Sequence, residues 1–272
     1  MFRVDPNPLS AQIARLHEQV VRTDDPLPLG NHLLHIFSGK RGSGKSTLML
    51  NLLCRTGSPY HAYFHNIYMC SPTARRDQKW NALVEEVDRE EHFFDKLDDD
   101  ICDQIIRSVE EYNDTYLKGV YDKIKKKWIK PKNKPFNLLI LDDCLSALPM
   151  SQQKSRINDL FVNSRHMKLS VWISTQKYNK LNTVCRSNCD LLSFYATDNE
   201  KEFQSLADDW SIPIHRLKSL YKFATDGDNS FLHISFVPRR PVFFKRFDRI
   251  LEEDHRIEEK EKDQGNEAPS AP

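Results

Sequence analysis

The chain has 272 residues, of which 39% are hydrophobic and 29% charged, and a formal net charge of +1. That length suits one large domain or two small ones, and the apolar share suffices for a buried core. No apolar run is long enough to span a membrane, MFRVDPNPLS lacks the apolar stretch of a secretory signal, and the balanced total charge favours no class of partner.

The elements follow in chain order. Residues 1–30 hold one helical pattern, Leu9–Val21, then the proline-rich DDPLPLG, and are expected to be an extension ahead of a domain at 31–250. Leu33–Ser38 is an apolar strand, followed by a glycine loop and an apolar helix, Ser46–Cys54. Asn66–Ser71 is a second strand, and Asp77–Arg89 a helix with an acidic start. Asp98–Lys127 is expected as one long helix, because Ile101, Ile105, Val109, Tyr112, Tyr116, Val120 and Ile124 recur at spacings of three and four. Phe136–Asp142, Leu169–Thr175 and Asp190–Ala196 complete the strands, with helices at Ser151–His166 and Asn199–Trp210. FLHISFV and PVFFKRF flank VPRR and predict a β-hairpin, and 251–272 reads as a charged, disordered tail. Strand and helix alternate, so the fold class is α/β, a mostly parallel sheet with helices on both faces and a C-terminal hairpin. No internal repeat is visible.

Charge is segregated along this chain. Glu85–Glu111 carries twelve acidic and three basic side chains, Lys118–Lys134 eight lysines and one aspartate, and Glu252–Glu267 eight acidic and three basic. The six cysteines, at 54, 70, 102, 144, 185 and 189, form no Cys-x-x-Cys pair. Cys185 and Cys189 could be half of a zinc site, but no second Cys/His pair accompanies them. The expectation is therefore reduced thiols in an intracellular, non-secreted protein.

Gly39-Lys-Arg-Gly-Ser-Gly-Lys-Ser46 fits GxxxxGK[ST], with a strand before it and a helix after it. The glycines let backbone N–H groups curl around phosphate oxygens, and the helix start adds its dipole. Gly39, Lys40, Arg41, Gly42, Ser43, Gly44, Lys45, Ser46 and Thr47 are the expected nucleotide-binding residues, with Lys45 on the β/γ-phosphates and Ser46 on Mg²⁺. FNLLILDD ends in Asp142 and Asp143 at the tip of an apolar strand. Asp142 is expected to hold Mg²⁺, and Asp143 to polarise the attacking water; the bland alternative is a helix cap. The strand His65–Ser71, lying between the two motifs, matches the layout of additional-strand ATPases. No DxxG follows Asp142, and Asn179-Lys-Leu-Asn182 ends in Asn where a guanine-reading NKxD needs Asp, so a GTPase is disfavoured. Gln176, at the end of LSVWISTQ, stands where a side chain could report the γ-phosphate.

NIYMCSPT, LLILDD, and NSRHMKLSVWISTQ followed by NCDLLSFYATDNEKEFQSL resemble the poxvirus-type virion DNA-packaging ATPases of the FtsK/HerA superfamily. The resemblance runs from about Leu33 to about Tyr221. It implies a RecA-like fold, ATP and Mg²⁺ as cofactors, a homo-oligomeric ring, double-stranded DNA as partner and a capsid or portal-vertex protein as docking site. It implies work in the host cytoplasm or viral factory, with association to the virion. Position by position, Lys45, Ser46 and Asp142 bind Mg-ATP, Asp143 activates water, and Gln176 is the sensor. Arg165 resembles the family arginine before the sensor strand and could be a finger reaching a neighbour's γ-phosphate; Arg41 or Arg186 could supply that charge instead. Tyr121–Lys134, lysines interleaved with aromatics, is a candidate DNA contact, against the plain reading of a solvated helix end. Two other readings remain: a cellular FtsK/HerA-type DNA motor or helicase, and a non-translocating nucleotide-binding assembly module.

Overall fold

The computed structural model describes residues 2–4, 24–30, 32–73, 76–81, 83, 90–122, 126–129, 136–145, 156–238 and 240–252. The expected helix Leu9–Val21, most of Asp77–Arg89 and the tail beyond 252 lie outside the described residues.

The strands are β1 (Phe2–Val4), β2 (Leu34–Ser38), β3 (Asn66–Cys70), β4 (Phe93–Phe94), β5 (Val120–Asp122), β6 (Lys127–Ile129), β7 (Asn137–Asp142), β8 (Leu169–Thr175), β9 (Leu191–Tyr195), β10 (Phe231–Ser235), β11 (Val242–Lys245) and β12 (Asp248–Glu252). The α-helices are α1 (Lys45–Cys54), α2 (Asp99–Lys118), α3 (Arg156–Val162), α4 (Ser164–Met167), α5 (Thr183–Ser187), α6 (Glu200–Trp210) and α7 (Ile214–Ala224). Ten strands form one sheet in the order β1-β12-β11-β10-β9-β2-β8-β7-β3-β4. The pairs from β9 to β4 are parallel, and those from β9 through β10, β11 and β12 to β1 are antiparallel.

The central strands are apolar on both faces because both faces are covered. Every residue of β2, β7 and β8 is buried. On one face Leu34, Ile36, Leu139, Leu141, Val171 and Ile173 pack against residues of α2, α3, α6 and α7. On the other, Phe37, Leu138, Ile140 and Trp172 pack against Met49, Leu52 and Leu53 of α1 and against Trp80. The alternation between these clusters is the period-two pattern of a strand.

All five expected strands are present, as are the helix after the glycine loop, the helix at 200–210 and the C-terminal hairpin. Four expectations need correction. The strand lying between β2 and β7 in space is β8, whereas Asn66–Cys70 sits on the far side of β7. The helix expected to reach Lys127 begins well, with the Asp98 carboxylate accepting from Ile101 N at 3.0 Å, but stops at Lys118. Gly119, at φ 76°, ends it in a conformation that favours glycine, and Val120–Asp122 then pairs with Lys127–Ile129 as a two-stranded antiparallel sheet, β5–β6. Ser151–His166 is not one helix: α3 breaks at Asn163, α4 follows, and Lys168 closes it in a left-handed conformation. Helix α7 and strands β1 and β12 were not anticipated, and β1 pairs with β12 so that both ends of the described chain lie side by side.

Beneath the β2–β9–β10 ladder runs a buried polar chain. The Pro26 carbonyl can only accept, so His233 Nε2 donates to it at 2.7 Å. His233 Nδ1 is then the acceptor from Ser193 Oγ at 3.1 Å, and Ser193 Oγ accepts from His35 Nε2 at 3.0 Å. Both rings are fully buried, and burial drives both pKa values down, His233 to about 4. The unfolded chain therefore binds more protons at His233 between about pH 6.5 and 4, and stability is lost as pH falls through that window. Asp190, half-buried just before β9 and raised by desolvation to about 6, acts in the opposite sense, so the comparison must be made against a variant. Chemical denaturation from pH 7 to pH 4 should show the wild type losing about 3 kcal/mol more than His233→Gln. Parallel pH profiles for the two would contradict this.

Candidate nucleotide-binding site

The parallel strands all point one way, so the loops after β2, β7 and β8 meet at one edge of the sheet. The glycine loop leaves β2 there. Gly39 N donates to Thr175 O at 3.1 Å, which ties the loop to the end of β8. A side chain at Gly39 is impossible without movement, since its Cβ would lie 2.5 Å from Tyr195 Cβ. Gly42 and Gly44 have φ of +80° and +97°, the left-handed turns that let the loop close before α1. Lys45, 5% exposed, folds back and donates from Nζ to Gly39 O at 2.7 Å and Lys40 O at 3.1 Å. Burial pulls its pKa down, while Asp143 and Asp142 pull the other way. The loop thus holds the Lys45 ammonium against two of its own backbone carbonyls. Ser46 is half-buried on the first turn of α1, and Lys40, Arg41 and Thr47 are exposed. Lys40 pairs with Asp198 at 2.8 Å.

Asp142 closes β7 at 3% exposure. Burial raises its pKa, against the Ser174 hydroxyl, and its Oδ1 has no hydrogen-bond partner among the described residues. Asp143 follows in a left-handed conformation, φ 53°, rare for a residue with a side chain. Its N donates to Ser174 O at 3.1 Å, which holds the turn, and its Oδ1 is likewise buried without a partner. Gln176, exposed just beyond β8, donates from Nε2 to Asp143 Oδ2 at 3.4 Å. Lys45, Ser46, Asp142, Asp143 and Gln176 therefore come from three strand ends to one edge.

Arg165 does not join them. It lies on α4, ahead of β8, and the seven residues of β8 place it about 20 Å along the strand from Gln176. It is exposed and close enough to His32, before β2, that its charge adds to burial in lowering that imidazole's pKa. Arg186 is committed within the subunit: Nη1 pairs with Asp209 at 3.0 Å and the guanidinium lies 5.5 Å from the Tyr178 ring centre. Asn182, the end of the NKxD look-alike, caps α5 by accepting from Cys185 N at 2.7 Å. All six cysteines are free thiols, five of them buried.

Three neighbours of the site carried no motif. Lys79, after β3, pairs with Asp77 at 2.8 Å and influences both Lys45 and Asp142 electrostatically. Tyr195, the last residue of β9, and Asn229, in the DGDNS turn before β10, abut Gly44. The apolar run ending in FYATD marks Tyr195 as a strand end, and the glycine and asparagine of DGDNS mark a turn, but neither pattern says that the two meet the glycine loop.

The poxvirus A32 protein family matches residues 30–218, more than two thirds of the chain. No curated protein sequence matches significantly. Among solved structures, the genome-packaging NTPase B204 of Sulfolobus turreted icosahedral virus 2 is similar in fold. Its complex with sulfate gives a TM-score of 0.54 at 17% identity, covering 83% of this chain and all of that one. Its complex with ATP-γ-S gives 0.53 at 15% identity, covering 80% of this chain and 100% of that one. Its AMP complex gives 0.52 at 16% identity over 76% and 94% of the two chains. With the family match spanning the glycine loop, both aspartates and Gln176 on a fold of this kind, the chain belongs to the poxvirus A32 protein family and is a P-loop ATPase.

Proposed function

We propose that this ATPase couples ATP hydrolysis to the movement of double-stranded DNA into a viral capsid, working as a homo-oligomeric ring in the host cytoplasm or viral factory. The observation that carries this is the meeting of Lys45, Asp142 and the Asp143–Gln176 contact at one sheet edge, with an exposed arginine at the opposite edge. An intact set of this kind favours turnover over a scaffold that merely binds nucleotide, and membership of a poxvirus family favours a capsid over a chromosome. DNA and the capsid or portal-vertex protein are the proposed partners, and among the described residues no helix is long and apolar enough to cross a membrane.

The residues fit Mg²⁺: the buried Asp142 Oδ1 has no hydrogen-bond partner among the described residues and lies at the same sheet edge as Ser46. Ser46 and Asp142 would hold the ion, which supplies positive charge to the β,γ-phosphate oxygens. Lys45 would release the Gly39 and Lys40 carbonyls and neutralise the same oxygens. Asp143, held by its turn and aimed by Gln176, would accept the proton of the attacking water. Gln176 would lose or remake that bond as the γ-phosphate departs, passing the change to β8.

Arg165 lies too far along its own sheet to touch its own nucleotide, so any contact it makes with a γ-phosphate is in a neighbouring subunit. Of the lysine run, Lys127 lies on β6 and Lys126, just before it, is exposed. Clustered lysines bind phosphates without reading sequence, as a translocating motor needs.

Displacement of a third strand from a long duplex tests translocation. The wild type should displace it only with ATP, and Asp143→Asn should bind a fluorescent ATP analogue normally yet displace nothing. Displacement without ATP, or by the variant, would overturn the proposal. For Arg165→Ala mixed with Lys45→Ala, the two defects lie in different partners of an interface, so the mixture should hydrolyse ATP at a rate above the sum of the separate proteins. Strict additivity would remove Arg165 from the neighbour's site.

A further inference from the structure

The glycine loop has two flanks. On the β8–β7 side stand Asp142, Asp143 and Gln176, which on the proposed reading act at the γ-phosphate end of the nucleotide. On that reading the nucleoside end lies on the other flank of β2, where β9 and β10 stand. Strand β10 runs antiparallel to β9, with Phe231 opposite Tyr195, so the loop that feeds β10 arrives at the same sheet edge as the glycine loop.

That flank is built firmly. Gly227 takes φ +115°, and Ser230 N donates to Gly227 O at 3.3 Å to close the turn. Arg246 Nη2 donates to Asp228 O at 2.9 Å, and Arg246 N donates to Phe231 O at 2.9 Å, bracing the turn from the β11–β12 connection. Phe231 in turn packs against Tyr195, with ring centres 4.9 Å apart. The result holds Asn229, itself left-handed at φ 53°, against the glycine loop: its Oδ1 is 3.6 Å from where a Gly44 Cβ would sit, and Tyr195 Cε1 is 3.9 Å from the same point. The Asn229 carboxamide is exposed and makes no hydrogen bond among the described residues. A donor and acceptor pair, carried on a braced turn and making no hydrogen bond among the described residues, thus stands on that flank.

We propose that Asn229, backed by Tyr195, is the base-reading residue of the nucleotide site and selects adenine. A carboxamide's adjacent donor and acceptor match the N7 acceptor and N6 donor on one edge of adenine, whereas the same edge of guanine offers two acceptors and satisfies only half of the amide. The inference rests on the reading of this edge as an ATP site, and it adds the reason for ATP over GTP.

Steady-state hydrolysis of ATP and GTP, with competition binding of fluorescently labelled ATP, tests it. Asn229→Gly keeps the left-handed backbone and removes the amide, and Asn229→Asp keeps the size and removes the donor. Asn229→Gly should raise the KM for ATP about tenfold and the KM for GTP by less, so that ATP preference falls, whereas Asn229→Asp, which keeps the acceptor for N6 and loses the donor to N7, should raise the KM for both. An unchanged KM for ATP in a variant that still turns over would overturn the base-reading role and leave the ATPase reading intact. Equal changes for ATP and GTP in Asn229→Gly would also overturn it, by making Asn229 a support for the loop alone. A wild type that neither binds nor hydrolyses either nucleotide would remove both readings together.

Discussion

The nucleotide site depends on three neighbouring parallel strands ending level. Ser38 of β2 lies opposite Thr175 of β8, and Asp142 of β7 opposite Ser174. At about 4.8 Å between strands, the glycine loop and the Asp142–Asp143 turn are about 10 Å apart, with Gln176 between them. A register slip of one residue would turn every buried side chain to the wrong face. The cores on both faces therefore set the geometry of the chemistry. Two backbone bonds lock the ends of the ladder: Gly39 N to Thr175 O and Asp143 N to Ser174 O.

The opposite edge of the same sheet is set with similar care. Asn66 donates to Asn137 at 2.9 Å, Asn137 to Asn113 at 3.1 Å, and Asn113 to Met167 O at 2.6 Å. This buried amide chain joins β3, β7 and α2 to the end of α4, the helix that presents Arg165. Because β8 spans from α4 to Gln176, one rigid strand connects the proposed sensor of a subunit with the arginine it would offer its neighbour. A movement at one end has a short, packed path to the other.

Much of this was legible in the sequence, and the failures share a cause. The strands were visible because burial on both faces demands unbroken apolar runs, as in LLILD and LSVWIST. The glycine loop and the aspartate pair at the end of β7 stand out in the sequence because their residue pattern is narrow, and the structure brings them to one sheet edge. The long helix failed at Gly119, where one residue's freedom to adopt a positive φ outweighs a continuing apolar stripe in Val120 and Ile124. The identity of the inserted strand failed because order along the chain does not give order in the sheet. Helix α7 hides behind Pro213 in the sequence, although Leu217, Leu220 and Ala224 keep helical spacing. Asn229 and Tyr195 were invisible because their importance arises only where β10 folds back beside β9.

The central claim is that Lys45 and the aspartates at the ends of these strands hydrolyse ATP in service of DNA. The most direct measurement is steady-state ATP hydrolysis by the full-length protein, with and without long double-stranded DNA, beside Lys45→Ala. Stimulation by DNA that vanishes in the variant is the expected result. Hydrolysis that is indifferent to DNA, or that persists in Lys45→Ala, would contradict it.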